Sequence, residues 1–530
     1  MLNLLNDVWL PVRRQKSGRC AIRPAQLCEL LDDDPVIAID WPRPDFRVAT
    51  MEFLIGLLAT ACPPETDDAW FGQWQSPPTP ELLDAAFAPL AHAFVLDGDG
   101  PRFLQDHEDL VSGAEPVGRL LIETPGESTE GKNTDLLVHR GRVARLGRAA
   151  AAMALYTFQA WAPAGGAGNL TGLRGGGPLT TLVLPPDAPS LWHVLWANVP
   201  LGAPPAEADL PRVFPWLAPT VTSEGARTVT PLSSHRLQCW WGMPRRIRLD
   251  FAAAEAAVCD LTGAPDSVMV ASWRQRPRGV KYATWGRVHP LTPHYTAKPG
   301  SEWLPVHPQP GGIGYRHWLG LVASSPDGLR LAAGCVAQWR SVRQHDVGHK
   351  TSRLLAAGYD MDNMKARSFV ESEMPLPAAP DAARLDDLAA RLVGAADIAA
   401  RLLRQAIRNA LFSAGATVKI DAELLSAARE RLWDASEQDF YATLERVADG
   451  AERDAAMEAW KTLLHRLSLA LFDELAPITP DSFATAPRIS SARRRLHFSM
   501  IGFGKDGGAL FVLLGLPPAE ARAKTKGKAA

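Results

Sequence analysis

The chain has 530 residues, 46% apolar and 22% charged, with a formal net charge of −2. That material builds about two to four domains with sizeable cores and excludes wholesale disorder, while the net charge singles out no partner. No run of about eighteen apolar residues exists, and Met1–Asp7 lacks a basic segment followed by an apolar one, so neither a membrane span nor a secretory leader is expected and a cytoplasmic location is. The six cysteines, Cys20, Cys28, Cys62, Cys239, Cys259 and Cys335, never approach C-x2-C spacing. Reduced, mostly buried thiols are expected in place of a zinc site or a disulfide framework.

In chain order, β-like runs fall at Trp9–Val12, Val36–Asp40, Leu179–Leu184, Val268–Ser272 and Leu329–Val336, with helical patterns at Val48–Ala61, Pro80–His92 and Leu146–Trp161. Pro and Gly are frequent and no internal repeat is visible, so residues 1–373 read as one large, irregular α+β domain. The texture changes at the Pro-rich stretch 374–381, a linker and helix start. Beyond it come helices at Ala382–Phe412, Ala422–Ala448, Ala451–Leu475 and Ser482–Met500. Leu385, Leu388, Leu392, Ala396, Ala399, Leu403 and Ile407 make one apolar stripe on the first. Short connections favour antiparallel packing, so residues 382–514 read as an all-α four-helix bundle, followed by a basic tail, 515–530, expected to be disordered.

Charge is segregated along the chain. Leu136–Pro186 contains no acid but carries Arg140, Arg142, Arg145, Arg148 and Arg174. Ser267–Ser301 is also acid-free, with Arg274, Arg276, Arg278, Lys281, Arg287 and Lys298. The last fifty residues hold nine basic and three acidic groups. Basic segments without acids suit a phosphate-binding surface.

The run Pro163–Pro178 contains Gly165, Gly166, Gly168, Gly172 and Gly175–Gly177. It is not a Walker A loop, since no Lys-Ser/Thr follows, and it follows a helix where a dinucleotide fingerprint follows a strand. It offers a nearly bare backbone able to approach a groove or a phosphate; a purely structural loop needing positive φ reads the same way. Trp273–Arg287 alternates cations with aromatics, as nucleic-acid contacts do, and as a hairpin with a charged outer face also does. His345, Asp346 and His349 suggest a metal-dependent hydrolase, but no glutamate base stands between the histidines and Gly348 weakens a helix there. No nucleophile motif appears.

The ordered segments resemble one family. The opening Leu4–Arg13, then Pro101-Arg-Phe103-Leu-Gln105, then Gly172-Leu-Arg174-Gly-Gly-Gly-Pro178-Leu-Thr-Thr181, then His289-Pro-Leu-Thr-Pro293, then Arg330–Arg340 are similar in order and spacing to the CasA family. CasA is the large subunit of the type I-E CRISPR surveillance complex, Cascade. The resemblance spans about Met1 to Leu514. It implies a non-enzymatic subunit, without cofactor or metal, that reads the protospacer-adjacent motif in double-stranded DNA through the minor groove. It further implies help in opening the duplex for R-loop formation and recruitment of the helicase-nuclease. The implied partners are the other Cascade subunits, the crRNA held by the complex, target DNA and that nuclease. An RNA-binding scaffold is the competing reading of the same basic segments.

Carried over residue by residue, the family's glycine loop falls on Gly165, Gly166, Ala167 and Gly168, with Ala167 where glycine is expected. Its glutamine wedge falls on Gln338, on a hairpin one residue longer, with Ala337 in place of the expected Asn. Its lysine finger falls among Arg276, Arg278 and Lys281. The loop that touches other subunits and DNA falls near Lys132 and Asn133, extending to Leu137. On the last helix Arg488, Arg493, Arg494 and Arg495 are spaced so that they cannot all share one face; a DNA-backbone patch is expected from Arg493 and Arg494. Where some members show a cysteine cluster, only Cys259 remains, so no zinc is expected.

Overall fold

In the computed structural model the N-terminal segment enters the core through Leu2, Leu4, Leu5, Trp9, Leu10 and Val12. The structure describes residues 1–135, 139–166, 168–348, 351–362, 364–378, 381–412, 422–479 and 485–517. The chain divides into two compact units, one of residues 1–312, 329–348 and 352–373, the other of Ile313–Gly328 with the helical region from Met374 onward. The first is mixed α/β, the second helical.

In the first unit, Leu10–Arg14 pairs antiparallel with Gly18–Ile22 and Val36–Ile39. Leu10 and Val12 point inward and Arg13 outward, the period-two pattern of a half-buried strand. Helix Pro44–Ala61 starts four residues before the apolar pattern does. Arg43 is extended ahead of Pro44, proline suits the first helical position, and Asp45 favours the first turn. This helix is apolar almost all round and is buried accordingly. Phe53 on it meets Trp9, Phe94, Phe103, Tyr156 and Trp241 edge-on, with centroids 5.6–6.0 Å apart. Trp9 and Phe103, in two of the motifs read above, are thus core residues. Helix Arg148–Trp161 packs on Pro44–Ala61.

The largest pairing is a long hairpin, Arg246–Val258 with Pro265–Arg276, of which only Val268–Ser272 is apparent in the sequence. Its first strand ends Ala-Ala-Ala-Glu-Ala-Ala-Val, a helical composition held extended by pairing at Ala252, Ala253, Ala257 and Val258, with the register shifting between Ala253 and Ala257. A second long hairpin, Ser352–Asp362 with Lys365–Leu376, shares a sheet with Thr180–Leu184. The expected strand Leu329–Val336 is corrected. Only Arg330–Leu331 is strand, paired with His294–Tyr295, and Gly334–Gln338 is helical, running into a π-turn at Trp339–Arg343. Cys335, Val336, Trp339 and Arg343 are the buried positions, a helical spacing.

In the second unit, helices Ala382–Leu411, Ala422–Ala448, Arg453–Leu475 and Ala486–Met500 are followed by a fifth, Gly504–Leu513, which the sequence reading folds into the end of the bundle without a helix of its own. Asp381 caps the first, accepting from the Arg384 N–H at 2.9 Å. Every residue of its apolar stripe is buried. Ile313–Gly328 contributes Tyr315, stacked on Phe440 at 4.4 Å and bonded through its hydroxyl to Ser436 Oγ at 2.7 Å. The basic tail from residue 518 lies outside the described residues. Among the described residues no helix is long and apolar enough to cross a membrane.

Tyr315 gives a direct test. Tyr315→Ala is expected to destabilise the helical unit by about 3 kcal/mol, and Tyr315→Phe by about 1 kcal/mol, the loss of one buried hydrogen bond. Urea denaturation followed by far-UV circular dichroism measures both.

Candidate nucleic-acid interface

Helix Arg148–Trp161 ends where Pro163 stops it, and the glycine loop begins. Gly166 and Gly168 hold φ of +68° and +82°, a region costly for residues with a Cβ. The Gly165 N–H donates to Asn169 O at 3.0 Å and the Asn169 N–H to Gly166 O at 2.7 Å, closing a tight loop. Ala167 lies outside the described residues. Both ends of the loop are held by Arg245, whose Nη2 donates to Pro163 O and whose Nε donates to Leu170 O at 3.2 Å. The Arg245 backbone is fixed in turn by the Gln159 side chain, and its guanidinium lies 4.6 Å from the Phe158 ring centroid. Burial pulls the Arg245 guanidinium down to about 10. Arg245 escapes the sequence reading. It sits in a visible run, Arg245-Arg246-Ile-Arg248, but its role depends on a loop some eighty residues away.

The basic turn docks on that loop. The Arg278 N–H donates to Gly168 O at 3.0 Å. Arg278 itself has a φ of +64°, and Gly279 follows because a Cβ there would stand 1.9 Å from Pro244 O. Arg276, Arg278 and Lys281 are exposed. Arg278 pairs with Glu224 at 3.3 Å, both more than half exposed, a contact that adds little stability. Arg276 and Lys281 make no ion pair among the described residues. The glycines and three candidate finger cations therefore stand together. The interleaved aromatics are corrected: they are not exposed beside the cations but packed into the protein. Trp273 and Trp285 are buried, donating to Pro116 O and Val229 O, and the Tyr282 hydroxyl accepts from the Met243 N–H.

Lys132 and Asn133 follow the short helix Glu127–Gly131, and both are exposed. Asn133 Oδ1 accepts from Arg140 at 3.0 Å. Thr134 and Asp135 line the same cleft as Gly165, Asn169 and Arg245, a cavity of about 930 Å³. Leu136 and Leu137 lie outside the described residues.

Gln338 is not on a hairpin. It ends the helix Gly334–Gln338, and its Nε2 donates to both Asp67 carboxylate oxygens, at 2.8 and 2.7 Å. Arg493 is likewise engaged, pairing bidentately with Asp473 at 2.6 and 2.7 Å, while Arg494 is exposed. Arg488 donates to Ala410 O and Leu411 O, capping the end of helix Ala382–Leu411. His345 and Asp346 are exposed, His349 lies outside the described residues, and no three metal-ligating side chains cluster among the described residues.

The model of the CRISPR-associated protein Cse1 family matches residues 3–471. The chain belongs to the Cse1 family. Solved structures agree in fold. Thermobifida fusca Cse1 superposes with a TM-score of 0.68 at 18% identity, covering 97% of this chain and 98% of that one. Thermus thermophilus CasA gives 0.67 at 18%, covering 94% and 100%. A chain of a structure titled CRISPR RNA-guided surveillance complex gives 0.66 at 17%, covering 94% and 99%.

Two of the motifs read in the sequence meet in the interior, away from the loop tip. Arg174 pairs with Glu52 and donates to Thr180 Oγ1 at 3.0 Å and Thr292 Oγ1 at 3.2 Å. Burial, the largest single influence, works to raise the Glu52 carboxyl, but the Arg174 charge and hydrogen bond and the nearby His289 ring together hold it below the usual range. His289 Nδ1 accepts from the Leu291 N–H, which fixes a neutral ring. Burial, then the Arg174 charge, lowers His289 to about 4, and burial, the largest influence there too, lowers His294 to about 4.

This Cse1 chain is therefore expected to lose stability in mild acid. Between an ordinary histidine value of 6.5 and about 4, the unfolded chain takes up protons that the fold refuses at both rings. Stability then falls with falling pH by at most about 1.4 kcal/mol per histidine per pH unit. Thermal unfolding between about pH 7 and pH 5 measures it, and His289→Gln should flatten the slope by its own share.

Proposed function

We propose that this chain is the large subunit of a type I-E crRNA-guided surveillance complex, Cascade, that reads a protospacer-adjacent motif in double-stranded DNA from the minor groove. In this reading it promotes duplex opening and R-loop formation, helps recruit a helicase-nuclease, catalyses nothing itself and works in the cytoplasm. Its partners are the other Cascade subunits and, through them, the crRNA. Family membership supports the reading, as does the fold shared with a chain of a CRISPR RNA-guided surveillance complex.

The observation that carries it is the hydrogen bond from the Arg278 N–H to Gly168 O. It sets a backbone nearly free of side chains beside exposed cations. The minor groove is about 6 Å wide and shows few distinguishing groups, so a thin reader that meets base edges with backbone atoms suits it. Arg276, Arg278 and Lys281 then neutralise the flanking phosphates, which gives affinity without sequence information. Sequence beyond the motif is left to guide pairing. Insertion of Gln338 beside the motif requires exchanging its Asp67 carboxylate for DNA.

Gly166 tests the reading, because a Cβ there meets nothing within 4 Å of the protein and protrudes into open space. Gly166→Asn keeps a residue that tolerates left-handed backbone yet adds bulk. In the assembled complex this variant is expected to lose discrimination between duplexes with and without the motif by at least about tenfold, roughly 1.4 kcal/mol. Arg276→Ala with Lys281→Ala is expected to weaken both duplexes and to lower the salt slope by about 0.9 for each phosphate no longer neutralised. Motif discrimination equal to wild type in all variants sinks the assignment; crosslinking of the basic turn to the guide alone favours the RNA scaffold.

A further inference from the structure

We propose that the cleft between the glycine loop and the 119–135 segment holds one unpaired nucleotide, with Arg245 and Lys365 meeting its phosphate and Gln275 its base edge. The inference rests on the reading of this chain as a nucleic-acid-binding subunit, and it assigns a second contact, distinct from the duplex-facing turn.

Three observations carry it. Arg245 is only 5% exposed, yet its Nη1 has no hydrogen-bond partner among the described residues and is not sealed from solvent. That nitrogen lies 3.4 Å from the place a Gly165 side chain would fill, on the lining of the 930 Å³ cleft. Gln275 lines the same cleft, and its Oε1 is buried without a partner. An amide can turn either end to a ligand, so Gln275 matches the donors and acceptors of a base. The acids of the cleft are all committed: Glu115 to Arg119, Glu123 to Arg43, and Asp135 to Arg140. Arg367 is held by Asp360, while exposed Lys365 makes no ion pair among the described residues. The uncompensated charge is thus positive, from Arg245 and Lys365, and it calls for an anion. The volume suits a single nucleotide, for pockets of about 300–1,000 Å³ hold small ligands; a duplex, whose major groove alone is about 12 Å wide, does not enter.

The test uses the full chain and two fluorescein-labelled probes, dA12 and rA12, with anisotropy read across a salt series. Arg245 is left intact because it also holds the glycine loop. Gln275→Met removes an unpaired buried polar atom, so the fold should melt at the same temperature or higher while probe affinity falls at least fivefold. Lys365→Ala should weaken binding at least threefold and reduce the salt slope by about 0.7, the share of one single-strand phosphate. Tighter binding of rA12 assigns the nucleotide to a guide RNA, tighter binding of dA12 to an opened DNA strand, and either supports the cleft. Wild-type affinity and slope in both variants overturn it, as does a wild-type chain that binds neither probe. Motif discrimination on duplex DNA, measured in parallel, reports separately on the Gly168–Arg278 reading surface. Failed discrimination with retained probe binding leaves the cleft standing.

Discussion

One of the core's buried carboxylates, Glu52, meets the Arg174 guanidinium near the middle of helix Pro44–Ala61, and segments far apart in the chain converge on that pair. Thr180 begins the strand Thr180–Leu184, Thr292 follows the His289-Pro290 turn, and Arg174 itself lies within the glycine-rich run, ahead of Gly175–Gly177. Removing one member of such a pair leaves the other buried and uncompensated, a loss of about 3–5 kcal/mol. The pair therefore fixes where the chain re-enters the core after the glycine loop. The loop's free ends are set by that anchor on one side and by helix Arg148–Trp161 on the other.

The bare backbone at Gly165, Gly166 and Gly168 is accordingly a product of rigidity around it. A glycine-rich segment alone has many accessible conformations. Here Arg245 ties both ends, Arg278 engages Gly168, and Gly279 lets the turn press against Pro244. The conformational entropy of ordering the loop is met during folding, so less remains to be lost on contact with a ligand.

The elements with unambiguous periodicity were legible in the sequence: the 148–161 and 382–411 helices and the strands at Val12 and Val183. Strand Arg246–Val258 was not, because its Ala-Glu run favours helix locally and only the partner strand decides otherwise. The Leu329–Val336 run failed in the opposite sense, since a short apolar stretch fits strand and helix alike until Trp339 and Arg343 extend the helical spacing. At the site, glycines and cations were readable as types. Which way Trp273 and Trp285 point, which carboxylate takes Gln338 and Arg493, and the part played by Arg245 are long-range facts that no local window contains.

The bond between Gly168 and Arg278 also has a meaning for transplantation. Two stretches separated by more than a hundred residues behave as one mechanical part, braced by a third at Pro244-Arg245. Grafting the glycine loop of a relative into this chain without its matching turn would leave a carbonyl facing the wrong amide. Altered recognition is thus reached by exchanging the three stretches together, as a cassette, and single-segment chimaeras inherit the geometry of neither parent.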